Sequence, residues 1–384
     1  MCMNKKVKYI AYYDTACNKD ENRNYVLAAT NKLDYIFDTI NLAGYRVDII
    51  SASTTMNKRG YKGKNIQINN NTSLKLFRTF SWGHKANRVI SIISMKLFLF
   101  FYLLFITNKD DAVFVYHSLG YVGVISLLHK IRKFHLVLEV EEIYADVNGN
   151  EKDRKKEYRL FNQADAFLFS TELLSDIVNT NNKPYTILYG TYRVEEDRAC
   201  KLADGIIHCV YAGTFDLRKG GGTAAAAAAE FLDERYHIHI LGFGTEKDKD
   251  GILRKIAEVS GKSKCAVTFD GLLSGEDYIQ FIQSCHIGLS TQNPCAEFNN
   301  TSFPSKVLSY MGNGLRVVSV RIKVLETSKI NSLFYYYDEN SPESVASAIK
   351  RVNIYDDYNS RDVLVNLNKM FIIETKEILR EVLR

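Results

Sequence analysis

Between Asp48 and Asp110 the sequence has no acidic residue at all, although 44 aspartates and glutamates are spread over its 384 positions. The interval instead holds ten lysines and arginines, from Lys58 to Lys109, and the most apolar run of the chain, VISIISMKLFLFFYLLFI (Val89 to Ile106). Cysteine pairs are missing too. Cys2, Cys17, Cys200, Cys209, Cys265, Cys285 and Cys295 form no C-x-x-C, so neither a disulfide framework nor a thiolate zinc site is expected. That pattern predicts a reduced, cytosolic chain. There are only 4 prolines and no Pro-rich linker. The N-terminal MCMNKKVKYIAYY has no long apolar region of the kind a secretory leader carries. G-x-x-x-x-G-K-[ST] is absent, which excludes a Walker A nucleotide loop.

What is present is ordinary globular material, 46% hydrophobic and 24% charged, with a net charge of +6. That is enough apolar content for a large core and argues against disorder. The length predicts about two domains. Val89 to Ile106 is short for a membrane span, carries Lys96 and runs directly into the strand-like DAVFVYHS. Together with the basic loop before it, residues 58–106 predict a helix that packs on the core and also rests on an anionic membrane surface. The segment lacks the interleaved basic and aromatic strand positions of a nucleic-acid platform, so no nucleic-acid partner is expected.

Strands and helices alternate along the chain. VKYIAYY, YRVDIIS, DAVFVYH, FHLVLEVEE, AFLFS and YTILYG read as strands, with helices at Tyr25 to Ala43, Leu119 to Lys133 and about Glu151 to Asn162 between them. After the polar GTYRVEEDRACKLADG the rhythm restarts with IIHCVYAG, YHIHILGFG, AVTFDGL, HIGLST, LRVVSV and LFYYY. This predicts α/β architecture with two doubly wound parallel sheets. The expected domains are 1–195 and 196–360, followed by a helix over 361–384. Ligands in such sheets sit at the carboxyl ends of strands, near helix N-termini.

Two segments lie at such places. YAGTFDLRKGGGTAAAAAAEF (Tyr211 to Phe231) reads as a strand end, a Gly-rich turn with Lys219, and an alanine helix capped by Thr223. CAEFNNTSFPSKVLSYMGNGLRVVS (Cys295 to Ser319) reads as a polar loop, then a helix with Ser302 as N-cap and Pro304 in its first turn. Amide groups of Phe303, Ser305 and Lys306, with the charge of Lys306, suit an anion. In the first half, Glu139, Glu141 and Glu142 crowd a strand end, where they either receive a hydroxyl proton or close a salt bridge. Arg23, Asn24 and His117 also follow strand ends and are candidates for acceptor contacts, or ordinary structural residues. The one D-x-D, Asp248 to Asp250, lies in TEKDKDGILRK and reads as a solvated helix start; no metal site is expected.

In their order, YAGTFDLRKG, FPSKVLSYMGNG and LRVVS resemble the C-terminal domain of nucleotide-sugar-dependent glycosyltransferases of the GT-B fold, in the retaining family four, above all bacterial polysaccharide transferases. NRNYVLAATNKLDYI and LEVEEIY resemble segments of the same enzymes. The resemblance implies two Rossmann-like domains facing across a cleft, with the C-terminal helix packing back on the first. It implies a nucleotide-diphosphate sugar, UDP-linked by preference, against Gly213, Thr214, Arg218, Lys219, Thr301, Ser302, Phe303, Ser305 and Lys306. Asp270, Gly271 and Leu272 would lie near the base. It departs from the family at Thr214, where an arginine is expected, and at Ser309 and Thr301, where two glutamates are expected; Glu297 lies four residues early. Glu141, Glu142 and Glu297 are the candidate catalytic carboxylates. The implied reaction is metal-independent transfer to a lipid-linked glycan at the inner face of a bacterial membrane, in capsule, exopolysaccharide or O-antigen synthesis. A non-catalytic nucleotide-sugar-binding homologue or scaffold is the alternative, and a GT-B epimerase is a third.

Overall fold

The alternating pattern becomes two separate sheets in the computed structural model, which describes residues 5–25, 27–145, 150–216, 220–294 and 302–383. Contacts divide the chain into two compact units, Met1–Thr191 with Lys369–Arg384, and Tyr192–Asn368.

The first unit holds β1 (Lys6–Ala11), β2 (Arg46–Ser51), β3 (Lys64–Asn69), β4 (Thr72–Leu76), β5 (Ala112–Tyr116), β6 (His135–Val140), β7 (Ala166–Phe169) and β8 (Tyr185–Ile187). Their order in the sheet is β3-β4-β2-β1-β5-β6-β7-β8, parallel throughout except for the β3–β4 pair. Val113, Phe114 and Val115 have no exposure at all, as expected where helices cover both faces of a parallel sheet. Successive crossovers run to opposite sides of the β1–β5 pair, so the strand order reverses there.

The helices of this unit include α1 (Leu27–Leu42), α2 (Lys85–Ile106) and α3 (Leu119–Arg132). Gly44, at φ +99°, ends the turn after α1. Ser118 caps α3 by accepting from the Gly120 amide. From the other end of the sequence, Phe371 stacks on Tyr35 of α1 at 5.9 Å, and Glu374 accepts from Thr186 of β8. These contacts place 369–384 in the first unit.

The basic stretch before α2 is not the plain loop expected. Residues 64–76 form an antiparallel hairpin on the sheet edge. None of the six β3 residues is buried, Lys64 and Ile66 being half-buried and the other four exposed, so only two isoleucines in a polar run mark the strand.

In α2 two stripes oppose each other. Ser91, Met95, Leu99 and Leu103 are buried. Val89, Ile93, Leu97, Phe101 and Phe105 recur at the same four-residue spacing and are exposed, Phe105 by 79%. The offset of two residues between the stripes is about 200° of helix rotation. By length and composition α2 is sufficient to cross a membrane.

The second unit holds β9 (Ile207–Thr214), β10 (Tyr236–Phe243), β11 (Ala266–Gly271), β12 (Ile287–Ser290), β13 (Arg316–Val320) and β14 (Phe334–Tyr337), all parallel, in the order β11-β10-β9-β12-β13-β14. Its order reverses between β9 and β12. These two strands pair only at Cys209–Ile287 and Val210–Gly288. Beyond that, the Tyr310 hydroxyl stands between them, accepting from the Ala212 amide at 2.9 Å and donating to the Leu289 carbonyl at 3.4 Å. Tyr310 thereby satisfies the backbone groups where the strands part. Gly288 is required beneath its ring, since a Cβ there would come within 2.3 Å of Tyr310 Cγ.

Candidate functional site

The crevice that Tyr310 holds open lies at the carboxyl ends of β9 and β12, the place where doubly wound sheets bind ligands. Three segments meet there. The first is the end of β9. Tyr211 donates from its hydroxyl to the Thr214 carbonyl at 2.9 Å, tying the strand end into a turn. The second is the Gly/Ala tract, whose helix spans Gly221–Ala227. Its cap is Gly220, in a left-handed conformation at φ +65°, and not Thr223, which lies within the first turn. Thr291 donates from Oγ1 to the Gly221 carbonyl at 2.7 Å, and a Cβ at Gly221 would stand 2.5 Å from the Thr291 carbonyl oxygen. The glycines thus allow the helix start to close onto the ends of β9 and β12. Ala225 to Ala229 are buried behind it.

The third segment is the helix Ser305–Gly312. It begins later than expected. Pro304 takes the capping position without a side-chain bond, and Ser302 is not the cap. The side chain of Lys306 returns across the end of β9. Its Nζ donates to Tyr211 Oη at 2.9 Å and lies 4.0 Å from the centre of that ring. A Cβ on Gly213 would fall 2.2 Å from Lys306 Cε. Gly213, Tyr211 and Lys306 are therefore one arrangement: the glycine makes room, the phenol ring and hydroxyl orient, and the ammonium supplies charge.

Around this cluster, Thr214 is exposed and Ser302 and Phe303 are half-buried, while Ser305 is exposed. Ser309 shares a hydrogen bond with the Tyr278 hydroxyl at 3.3 Å. Gly271 turns at φ +81° after β11, and Leu272 beside it is 65% exposed. Asp270 instead faces back along the sheet to His239 at 3.2 Å. Arg218, Lys219, Glu297 and Thr301 lie outside the described residues. Asp248 of the D-x-D closes a capping box with Thr245.

The first unit has its own polar cluster at the β1–β5 reversal. Glu139 of β6 is wholly buried, and its Oε2 accepts from the Tyr9 hydroxyl. Burial, then repulsion from Glu141, pushes its pKa up to about 8. Its Oε1 is a buried oxygen with no hydrogen-bond partner among the described residues. Glu141 pairs with Lys32 of α1 at 2.5 Å, and that ammonium also donates to the Leu188 carbonyl at 2.8 Å. Glu142 is half-buried, with its carboxyl held above the usual range by burial and by Glu141. Tyr12 stacks on Tyr121 at 4.6 Å beside the same strand ends.

The three acceptor candidates are placed differently. Arg23 is buried, donating to Glu21 at 2.7 Å, the Ser53 carbonyl at 2.9 Å and the Phe77 carbonyl at 3.0 Å. Asn24 accepts from the Thr54 amide at 2.5 Å. Both fasten the segment after β1 to the segments after β2 and β4. His117 is packed between Tyr144 and Phe161, 3.3 Å from the buried carboxylate of Glu157. Burial drives its pKa down to about 4. Glu157 accepts from the amides of Tyr144 and Ala145 at 3.0 and 2.7 Å and carried no signal in the sequence, being one acid of a charged helix. Tyr211 and Tyr310 were likewise hidden among 24 tyrosines.

Solved structures of the same architecture exist. An E. coli trehalose-6-phosphate structure bound with UDP-2-fluoro glucose is 11% identical, with a TM-score of 0.65 over 99% of each chain. The sucrose-phosphate synthase of Thermosynechococcus elongatus is 12% identical, with a TM-score of 0.65 over 98% of this chain and 99% of that one. The fold is GT-B. A UDP-forming trehalose-phosphate synthase from Burkholderia xenovorans, in complex with glucose-6-phosphate, is 10% identical with a TM-score of 0.63 over 98% and 99%. No family model matches the chain. No curated protein matches it either. The likeness therefore carries the GT-B architecture, and family four rests on the motifs alone.

Proposed function

We propose that this chain is a glycosyltransferase that takes a sugar from a nucleotide-diphosphate donor and passes it to a lipid-linked or polysaccharide acceptor. The observation that carries the reading is Lys306, held by Tyr211 across Gly213 at the strand reversal of the second sheet. In a transfer reaction the diphosphate is the leaving group, and a fixed ammonium offsets its growing charge without reorganising. Lys219 and Arg218 of the Gly-rich turn are assigned to the same phosphates. This makes the transfer metal-independent, with UDP the favoured nucleotide and retention following from the family-four motifs. A GT-B structure bound with UDP-2-fluoro glucose supports the choice of donor. Glu142 is assigned to a hydrogen bond from the acceptor hydroxyl, since it is a half-buried carboxylate just past the end of β6 whose proton affinity is raised by burial and by Glu141.

The lipid-linked acceptor and a place at the inner membrane face rest on α2. Its exposed stripe adjoins an apolar groove of about 380 Å³ walled by Phe77, Phe98, Phe101, Tyr102 and Phe105, with Lys75 and Arg78 at its rim. Aromatic walls with a cationic rim suit acyl chains below anionic headgroups.

The decisive experiment is a binding and turnover screen of UDP-, GDP- and dTDP-sugars, repeated on Lys306→Ala and Lys219→Ala. Loss of donor binding in both variants is the expected result. Unchanged binding in both would remove the donor assignment. Lipid-linked glycans and glucose-6-phosphate serve as parallel acceptor arms, because a synthase of this fold was solved with the phosphosugar. Tight donor binding with neither transfer nor slow hydrolysis would establish the non-catalytic homologue instead.

A further inference from the structure

Four of the chain's 8 histidines, His208, His237, His239 and His286, lie in the second unit, and three of them converge. His208 is the second residue of β9, and His237 and His239 are the second and fourth of β10, with His208 and His237 in register. They lie on one face of the sheet near the amino ends of the strands. Gly213 is five residues further along β9, about 16 Å away at strand rise, so the cluster is separate from the candidate donor site.

The hydrogen-bond pattern fixes the protons. His208 Nε2 lies 3.1 Å from Asp204 Oδ2, and His239 Nδ1 lies 3.2 Å from Asp270 Oδ2. An ionised carboxylate only accepts, so each of these nitrogens carries the hydrogen. The remaining nitrogens, His208 Nδ1 and His239 Nε2, then present lone pairs to one another, and they stand 2.9 Å apart. Two lone pairs at that distance repel unless a positive centre lies between them. A shared proton would serve that pair alone, whereas an ion can take further ligands. Here there is a third: one ring nitrogen each from His208, His237 and His239 all fall within 4.8 Å of one another.

We propose that His208, His237 and His239 bind a divalent transition metal of the zinc class, with Asp204 and Asp270 orienting two of the three ligands. Imidazoles whose second nitrogen donates to a carboxylate are the usual form of metal-ligating histidine. Two nitrogens on one tetrahedral zinc are about 3.3 Å apart, so the His208 and His239 rings part by only a few tenths of an ångström. Those two rings are buried and His237 is half-buried, so solvent reaches the cluster at His237, and a tetrahedral ion would take water as its fourth ligand. The ion ties β9 to β10 and stabilises the sheet; the transfer chemistry does not pass through it.

The test uses the tag-free full chain, stripped with a chelator and titrated with Co²⁺ and Zn²⁺. One Co²⁺ per chain with a tetrahedral visible spectrum is expected, as is a rise in melting temperature with Zn²⁺. The double variant His208→Gln/His239→Gln should lose the stoichiometric ion, and Asp270→Asn should bind about 10–100-fold more weakly. His84→Ala, in the other unit, should bind as the parent does. Should the double variant fail to fold, zinc-edge X-ray absorption of the parent decides instead: three imidazoles per ion support the site, and a shell without them overturns it. No stoichiometric uptake by the parent, or uptake unchanged in a folded double variant, overturns it as well.

Discussion

Lys306 Nζ lies 4.0 Å from the ring centre of Tyr211 and 2.9 Å from its hydroxyl, so a single phenol both orients the ammonium and hydrogen-bonds to it. Removing the charge should be far more damaging than removing the bond. Lys306→Ala is expected to lower kcat/KM for donor hydrolysis or transfer by ~10²–10³-fold. Tyr211→Phe keeps the ring and loses the hydroxyl, for a loss of about tenfold. Steady-state kinetics on both, with melting curves to confirm the fold, check the ranking.

Gly213 and Gly242 should respond to alanine in opposite ways. At Gly213 the new methyl meets the far end of the Lys306 side chain, which can move. Donor affinity should fall while the melting temperature stays near that of the parent. At Gly242, φ is +143° and the methyl would stand 1.7 Å from the Gly213 carbonyl oxygen, which is backbone and cannot yield. Gly242→Ala should cost at least ~3 kcal/mol of stability, read by denaturant unfolding.

Glu139 gives the first unit a pH dependence of definite sign. Its folded pKa, near 8, lies above the ordinary carboxyl value of 4.5, so the folded state binds the proton more tightly than the unfolded one. The associated stability is fully present below about pH 4.5 and is lost as pH rises through 8. Glu139→Gln keeps an acceptor for Tyr9 but cannot ionise. It should flatten the decline in stability between pH 5 and 9, measured by melting temperature across that range. An unaltered decline would move the titration to another group.

The outer stripe of α2 predicts reversible binding to anionic vesicles. Phe101→Asp/Phe105→Asp replaces two exposed rings and should weaken vesicle co-sedimentation at least ~tenfold, without lowering the melting temperature. Binding by the parent chain should also fall as salt is raised, because the adjoining lysines and arginines act across water.

The α/β alternation was legible because fully buried parallel strands such as AVFVY are unbroken apolar runs bounded by helices with visible stops. The β3–β4 hairpin was not, because KNIQIN is a short, mostly polar edge strand with no buried residue, whose two isoleucines are too weak a signal beside the surrounding basic residues. At the site, the motif around Lys306 was legible as a cation near a helix start. Its use was not: that a tyrosine 95 residues earlier holds the ammonium depends on the return of the chain, which no local spacing encodes. Arg23 shows the converse error. Its place after a strand resembled a binding position, yet burial beside Glu21 makes it an internal fastener. The histidines of β10 look in sequence like two polar interruptions of a strand, and only the register with β9 brings His208 beside them.

The first unit includes Lys369–Arg384, which the chain reaches only after the whole second unit has been made. On the ribosome, Tyr35 must therefore wait for Phe371, and Thr186 for Glu374, while residues 192–368 emerge in between. The second unit is continuous and can close as it leaves the exit tunnel. The unit begun first is thus the one completed last, and for the length of that delay the ribosome carries a nascent chain whose opening sheet still lacks its final helix.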